Sequence, residues 1–241
     1  MSGFARLCFF FFIISCLGCA QKPIKKQNLK WQSFVLDEDL SQFQVLNGTA
    51  DYYVENNTIV GVSTIGSPNT FLCTRELYSD FILEFEVWAD PQLNSGVQFR
   101  SNRFDDKMDG RVHGYQAEIE SSDRKWAGGI YDEGRRGWLY PLDKNPDAKS
   151  AFIANEWNHY RIEAIGDELI TWVNATQCSH LIDNLTSEGF IGFQIHSIGD
   201  EALANKKVKW RNIRILTDDV RKAKWRSTGS VPVINLTEDK S

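Results

Sequence analysis

The chain is poor in the residues that build metal clusters, with 4 histidines and 5 cysteines among 241 residues. No Cys-x-x-Cys pair occurs beyond residue 20, so a zinc cluster lacks its ligands. Positive charge is not in excess either. Against 27 Lys+Arg stand 32 Asp+Glu, a net charge of -5, which argues against nucleic acid or an anionic membrane surface as partner. The sequence has no internal repeat, no G-x-S-x-G, no H-E-x-x-H, no P-loop and no EF-hand loop. Asp105 to Gly110 holds acidic residues without the alternate spacing or terminal Glu of a calcium loop, and reads as a solvated loop, with a weak metal site as the alternative. What is abundant is aromatic: 15 Phe, 8 Trp and 7 Tyr, 12% of the residues. Such rings suit both strand cores and flat platforms for sugars.

The N-terminus carries Arg6 and then the apolar run Leu7 to Leu17, including Phe9 to Phe12. This is too short to span a bilayer and matches the hydrophobic region of a secretory signal. It ends in Cys16-Leu17-Gly18-Cys19, similar to a bacterial lipobox with Cys19 as the lipidated residue. Ile13-Ile14-Ser15-Cys16 is a competing fit, and plain signal-peptidase cleavage the alternative. The expected division is a signal over 1–19, a lysine-rich tether over 20–30, one domain over 31–217 and a tail over 218–241. The protein is then exported and lipid-anchored, periplasmic or at the cell surface, and touches the membrane through the anchor alone. Cys73 and Cys178 remain beyond the signal, in a compartment that permits a disulfide without showing that they meet.

The dominant period of the mature chain is two. Phe81, Leu83, Phe85 and Val87 alternate with Ile82, Glu84, Glu86 and Trp88, as in a strand with one face in a core. Val97 to Arg100, Tyr115 to Glu120, Tyr160 to Glu163, Leu169 to Val173 and Ile191 to Ile195 continue the pattern. Turn chemistry separates them, as in Asn94-Ser95-Gly96 and Gly166-Asp167. Val208 and Trp210 differ in parity from Ile213 and Ile215, which predicts a bulge around Arg211-Asn212. Short helices are expected over Ala148 to Asn155 or Asp37 to Phe43. The fold class is all-β, an antiparallel sandwich.

In such a sandwich every second side chain faces outward. The outward set is Glu84, Glu86, Gln98, Arg100, Gln116, Glu118, Glu120, Gln194 and His196, rich in planar groups suited to vicinal hydroxyls. Neighbouring strands would join them into a polar concave floor, although a polar outward face is ordinary for any one of them. Trp126, Tyr131 and Trp138, in a glycine-rich segment, are candidate stacking platforms. Among the histidines, His113 lies beside floor strands, His159 and His180 have no acidic partner in register, and His196 is the best acid/base candidate.

Several segments together resemble a known family. They are Thr74 to Phe81, Asn94 to Ser101, Gly114 to Glu120, Asn155 to Asn158, Gly192 to His196 and Trp210 to Ile215, in that order. They resemble the 3-keto-disaccharide hydrolase domain, over roughly residues 31 to 216. The resemblance implies a concanavalin-like jelly roll, of laminin G and glucanase type, and a small carbohydrate substrate. Two departures stand out. Asn174-Ala175 replaces an Asn-Gly hairpin, which predicts a different turn, and Gln116 and Glu120 stand where many members have Glu and Asp. The implied chemistry is removal of the proton on C2 beside a C3 ketone, expulsion of the C1 substituent, and hydration. It implies His196 and Glu120 as the proton-transfer candidates, Arg100 as the oxyanion partner, and Gln98, Gln116, Glu118 and Gln194 as hydroxyl binders. No cofactor is certain; a divalent metal joining His196 and the carboxylates stays open. The rival readings are a non-catalytic carbohydrate-binding, lectin-like lipoprotein and a surface protein whose floor is covered by a partner.

Overall fold

A computed structural model of the protein describes residues 29–34, 40–105, 110–227 and 229–237. The expected signal with Cys19, most of the expected tether and residues 37–39 of the expected helix over Asp37 to Phe43 lie outside the described residues; the rest of that stretch is not a helix, because a turn at Ser41 and Gln42 leads into a strand at Phe43.

In chain order the strands are β1 (Gln32–Ser33), β2 (Phe43–Leu46), β3 (Asp51–Glu55), β4 (Thr58–Val62), β5 (Thr70–Thr74), β6 (Phe81–Ala89), β7 (Ser95–Arg103) and β8 (Val112–Ile119). Then follow β9 (Ile130–Glu133), β10 (Gly137–Tyr140), β11 (Asn158–Ile165), β12 (Glu168–Val173), β13 (Thr176–Ile182), β14 (Phe190–Ile195), β15 (Lys207–Leu216) and β16 (Ile234–Asn235). They form two sheets. The front sheet has the order β10-β9-β8-β7-β14-β5-β2, and the back sheet the order β16-β13-β12-β11-β6-β15-β4-β3, with β1 on β15. Pairing is antiparallel throughout, except that β16 runs parallel to β13. The result is the expected sandwich.

The alternation read from the sequence fills the space between the sheets. Phe81, Phe85, Phe99, Phe193 and Trp210 are fully buried in one apolar cluster, and Phe85 stacks on Tyr160 with ring centroids 5.3 Å apart. Cys73 and Cys178 are buried free thiols, one on each sheet. The predicted bulge is present between Arg211 and Arg214, with Asn212 at φ +52°.

Two local expectations change. Ala148 to Asn155 is not an α-helix; a 3-10 turn covers Pro146–Ser150. The Asn174-Ala175 turn keeps positive φ at both residues, +46° and +65°. The Asn174 side chain imposes this conformation. Its amide donates to Ala151 O and Asn158 Oδ1, and its oxygen accepts from His159 N.

The outer face of the back sheet is a closed ionic network. Glu84 accepts from Arg161 and from Arg214, and Arg161 also holds Glu163 at 2.7 Å. Trp225 lies over Arg161 at 4.6 Å and Trp31 over Arg214 at 4.6 Å. The chain entering the domain and the chain leaving it are thereby fastened to this face by cation–π contact. Glu84 and Glu86 therefore belong to the sheet opposite the front floor, because β6 sits between β11 and β15.

Candidate functional site

Strand register assembles the front floor. Gln98 faces Gln116 across β7 and β8, Gln116 faces Tyr131 across β8 and β9, and Tyr131 faces Trp138 across β9 and β10. On the other side Gly192 faces Gln98, two residues before Gln194 on the same face of β14. A side chain at Gly96 would put its Cβ 2.4 Å from Gln116 Cδ, so the bare backbone there is what lets Gln116 lie across β7. Four of the floor residues expected from the sequence, Gln98, Gln116, Glu118 and Gln194, are thus brought together, and all four are buried.

Above the floor is a cavity of about 260 Å³. Glu118 and Gln116 line its base, Gln194 and His196 one side, Tyr131 and Trp138 the other. A second lobe of about 480 Å³ shares Asn69, Arg111, Glu133 and His196 with it and extends past Asn47, Pro68 and Ser197. A site of comparable volume, about 400 Å³, lies on the outer face beside Glu84 and His159, so size does not single out the front cavity. Its chemistry does.

Glu118 is the most perturbed carboxyl of the front face. Burial pushes it up to about 7, and the nearby Glu120 adds to the rise. Asn94, Arg124 and Gln116 oppose the rise by donating to its oxygens, at 2.5, 3.1 and 3.2 Å. Gln194 is fully buried at 0% exposure, and neither its amide nitrogen nor its oxygen has a partner among the described residues. A buried amide without partners costs free energy unless a ligand or water supplies them. His196 donates from Nδ1 to the Ser197 carbonyl at 2.7 Å, since a carbonyl can only accept. In the neutral ring Nε2 is then the acceptor. Ser197 N in turn donates to Asn69 Oδ1 at 2.9 Å, which fixes the loop carrying the ring.

Three expected members of the site stand elsewhere or differently. Arg100 sits at a β-bulge with φ +45°, so its side chain leaves the floor. It donates to Ser79 O and Gly166 O and pairs with Asp80 at 2.9 Å, tying turns at the rim of the sandwich. The same bulge carries Ser101 into the floor position that simple alternation assigns to Arg100. Gly114 beside it is required, since at φ +138° a Cβ would lie 2.6 Å from Ser101 Cα. Glu120 follows the last residue of β8 and accepts from Trp126 N at 2.7 Å and from Arg124 at 3.0 Å. It shapes the loop that delivers Arg124 to Glu118 and lines a different depression, so it is not paired with His196. Trp126 stands behind Trp138, ring centroids 4.7 Å apart, with Arg124 over both rings. All three rings are half-buried, but only Tyr131 and Trp138 line the cavity, so these two form the platform and Trp126 its support.

The other histidines are structural. His113 packs at a tilt against Phe104, ring centroids 4.1 Å apart, and burial lowers its pKa. His159 and His180 do have acidic neighbours, Glu84 at 3.9 Å and Glu168 at 3.2 Å. Sequence reasoning missed Asn94, Arg124, Arg111, Glu133 and Asn69. Glu133 alternates in phase with Tyr131 and could have been found by parity; the others lie in loops or turns, where no periodicity marks them. Among the described residues no three His, Cys, Asp or Glu side chains converge as a metal would require, so a divalent ion has no ready ligand set there.

Comparison with known proteins agrees with the fold. The chain is similar to the carbohydrate binding module CBM66 from Bacillus subtilis, at 16% identity and TM-score 0.51, over 73% of this chain and 95% of that one. It is also similar to a protein of unknown function with a galectin-like fold from Bacillus subtilis, at 11% identity and TM-score 0.54, covering 78% and 98%. Porphyranase B from Zobellia galactanivorans matches at 12% identity and TM-score 0.54, covering 82% and 97%. No curated protein sequence matches the chain. The profile of the 3-keto-alpha-glucoside-1,2-lyase-like domain matches residues 30–216, which span both sheets and every residue of the front cavity, and the chain belongs to that family.

Proposed function

We propose that the protein cleaves 3-keto-glycosides, taking a keto sugar over the floor and its leaving group in the adjoining lobe. The observation that carries this reading is Glu118: a buried carboxyl held near neutrality, in the same cavity as a histidine whose Nε2 is an acceptor. In the proposed reaction His196 Nε2 takes the proton from C2, made acidic by the C3 ketone. The electron pair passes into the enolate, whose oxygen is met by a guanidinium. Arg111 suits this role better than Arg124, because among the described residues it pairs with Glu133 alone, at 3.3 Å, whereas Arg124 is shared by two carboxylates. The enolate then expels the C1 oxygen, which receives the proton of Glu118. Water adds at C1 of the resulting enone and a proton returns to C2, for net hydrolysis.

Trp138 and Tyr131 supply the apolar face for the sugar ring, and Gln194 the amide that takes up hydroxyls. The second lobe is lined by polar side chains and a proline, which fits a hydrophilic leaving group such as another sugar. The lipid anchor at Cys19 belongs to the same proposal. Trp31 and β1 enter along the back sheet, so the anchored domain would hold its cavity away from the membrane; a Cys19→Ser protein should leave the membrane fraction.

The test is incubation with a 3-keto disaccharide, with and without chelator, following free sugar. Release by the wild type and its loss in His196→Ala is the expected result. Tight binding with no product would instead favour the lectin-like alternative, and neither binding nor product would sink both.

A further inference from the structure

The floor contains a directed chain of hydrogen bonds ending on Glu118. Ser101 Oγ donates to Gln98 Oε1 at 2.7 Å, Gln98 Nε2 to Gln116 Oε1 at 2.7 Å, and Gln116 Nε2 to Glu118 Oε2 at 3.2 Å. All four side chains are buried. The direction follows from the end of the chain. An ionised carboxylate only accepts, so Gln116 must present its NH2, which leaves its oxygen to Gln98, and so on to the serine hydroxyl.

A proton arriving on Oε2 reverses that demand, because the carboxyl must now donate. The other oxygen offers no acceptor, since Oε1 already receives Asn94 and Arg124. Half a turn of the Gln116 amide presents its oxygen to Glu118 and its NH2 to Gln98. Half a turn of Gln98 presents its own NH2 to Ser101 Oγ. The serine hydroxyl then has acceptors waiting in Phe99 O and Tyr115 O, each at 3.2 Å. Every link keeps a partner in both arrangements, and an amide rotating about its last torsion sweeps almost the same volume, so the packed floor need not open.

The geometry points to a reversible amide relay, Ser101 to Gln98 to Gln116, that keeps Glu118 hydrogen-bonded in both its protonated and its ionised form. These three are positioning residues; they deepen the assignment of Glu118 as a proton-transfer group and rest on it. Several titratable or charged groups face or neighbour Glu118. Arg124 and Glu120 come from the loop after β8, Tyr131 and Glu133 from β9, Arg111 from before β8 and His196 from after β14. The Tyr160 hydroxyl of β11 donates to the Glu118 carbonyl at 3.0 Å from beneath. Among the described residues none of them hydrogen-bonds to the relay amides in place of Glu118. Burial holds the carboxyl near 7, so both forms are populated in neutral solution.

The test is a pH titration of the whole protein by NMR, following the Glu118 carboxyl carbon together with the side-chain amides of Gln98 and Gln116, in wild type and in Gln116→Met. The relay predicts that both amides move with the Glu118 midpoint in wild type. It also predicts that Gln98 stops responding in Gln116→Met while Glu118 still titrates. A Gln98 amide insensitive to pH in wild type overturns the relay. So does one that responds equally with Gln116 replaced, since that is only the field of the carboxylate. No substrate is used, so absence of glycoside cleavage would refute the proposed activity while leaving this result to stand or fall separately.

Discussion

Glu84 and Glu118 occupy equivalent positions on the two sheets, each an outward residue of a central strand and each about 3% exposed. They are driven in opposite directions. For both, burial alone favours the neutral form. At Glu84 that push is overcome by His159, Arg214 and Arg161, and its pKa is held down at about 2. At Glu118 one guanidinium is shared with Glu120 and the remaining donors are neutral amides, so burial wins and the group rises to about 7. Burial does not decide between the two; the number of full charges within reach does. The outer network fastens the segments around Trp31 and Trp225, with Trp225 N donating to Glu163 and Trp31 lying over Arg214. The floor holds Gln194 with nothing among the described residues to satisfy it. Chemistry is assigned to the face that is left incomplete.

The largest expected effect is that of Glu118→Gln, which should lower turnover of a 3-keto disaccharide by about 1000-fold, within the range for loss of a general acid. It also tests the sign of the shift. With its folded pKa above its unfolded one, Glu118 favours the folded state at low pH, and that contribution is lost as pH rises from about 4.5 through about 7. The loss is on the order of 3 kcal/mol. Urea unfolding across this window should show a decline in wild type that is flattened in Glu118→Gln. Equal slopes would erase the contrast between the two faces.

Glu84→Gln should do the reverse. Removing the charge beside the buried Arg161 is expected to destabilise the protein by about 3 to 5 kcal/mol, with turnover of the folded fraction changed less than about twofold, because the two sheets share no partner there. Its stabilising share is present above the ordinary carboxylate range and disappears as pH falls toward 2. Trp138→Ala should raise KM about tenfold, the loss of one stacking surface, with a smaller change in kcat. A loss of stability without a change in KM would make that ring a structural cap like Trp126. The smallest effect concerns neither face. Ala175→Gly should stabilise by about 1 kcal/mol in thermal or urea unfolding, since only the side chain's strain at φ +65° is removed.

Much of this is legible in the sequence. Period-two alternation identified the core and placed Gln98, Gln116, Glu118 and Gln194 on one outward face, because side-chain direction in a strand depends on parity alone. Parity does not say which sheet a strand joins, so Glu84 and Glu86 share the outward phase of Gln98 and Gln116 while lying on the opposite layer. It also fails across an irregularity. One bulge sends Arg100 to Asp80 and Gly166 and turns Ser101 inward. Glu120 keeps the phase of Glu118 but stands beyond the strand, where a carboxylate serves the loop instead. Asn94, Arg124 and Asn69 reach the cavity from loops, and only the folded chain brings loops together.

The central claim is tested most directly by supplying a 3-keto disaccharide in deuterium oxide to wild type, Glu118→Gln and Glu84→Gln, and following free sugar together with deuterium at C2. The account predicts sugar release with C2 deuteration by wild type and by folded Glu84→Gln. For Glu118→Gln it predicts C2 exchange, driven by His196, with release almost abolished. Release by Glu118→Gln at the wild-type rate would contradict it, as would loss of release from folded Glu84→Gln alone.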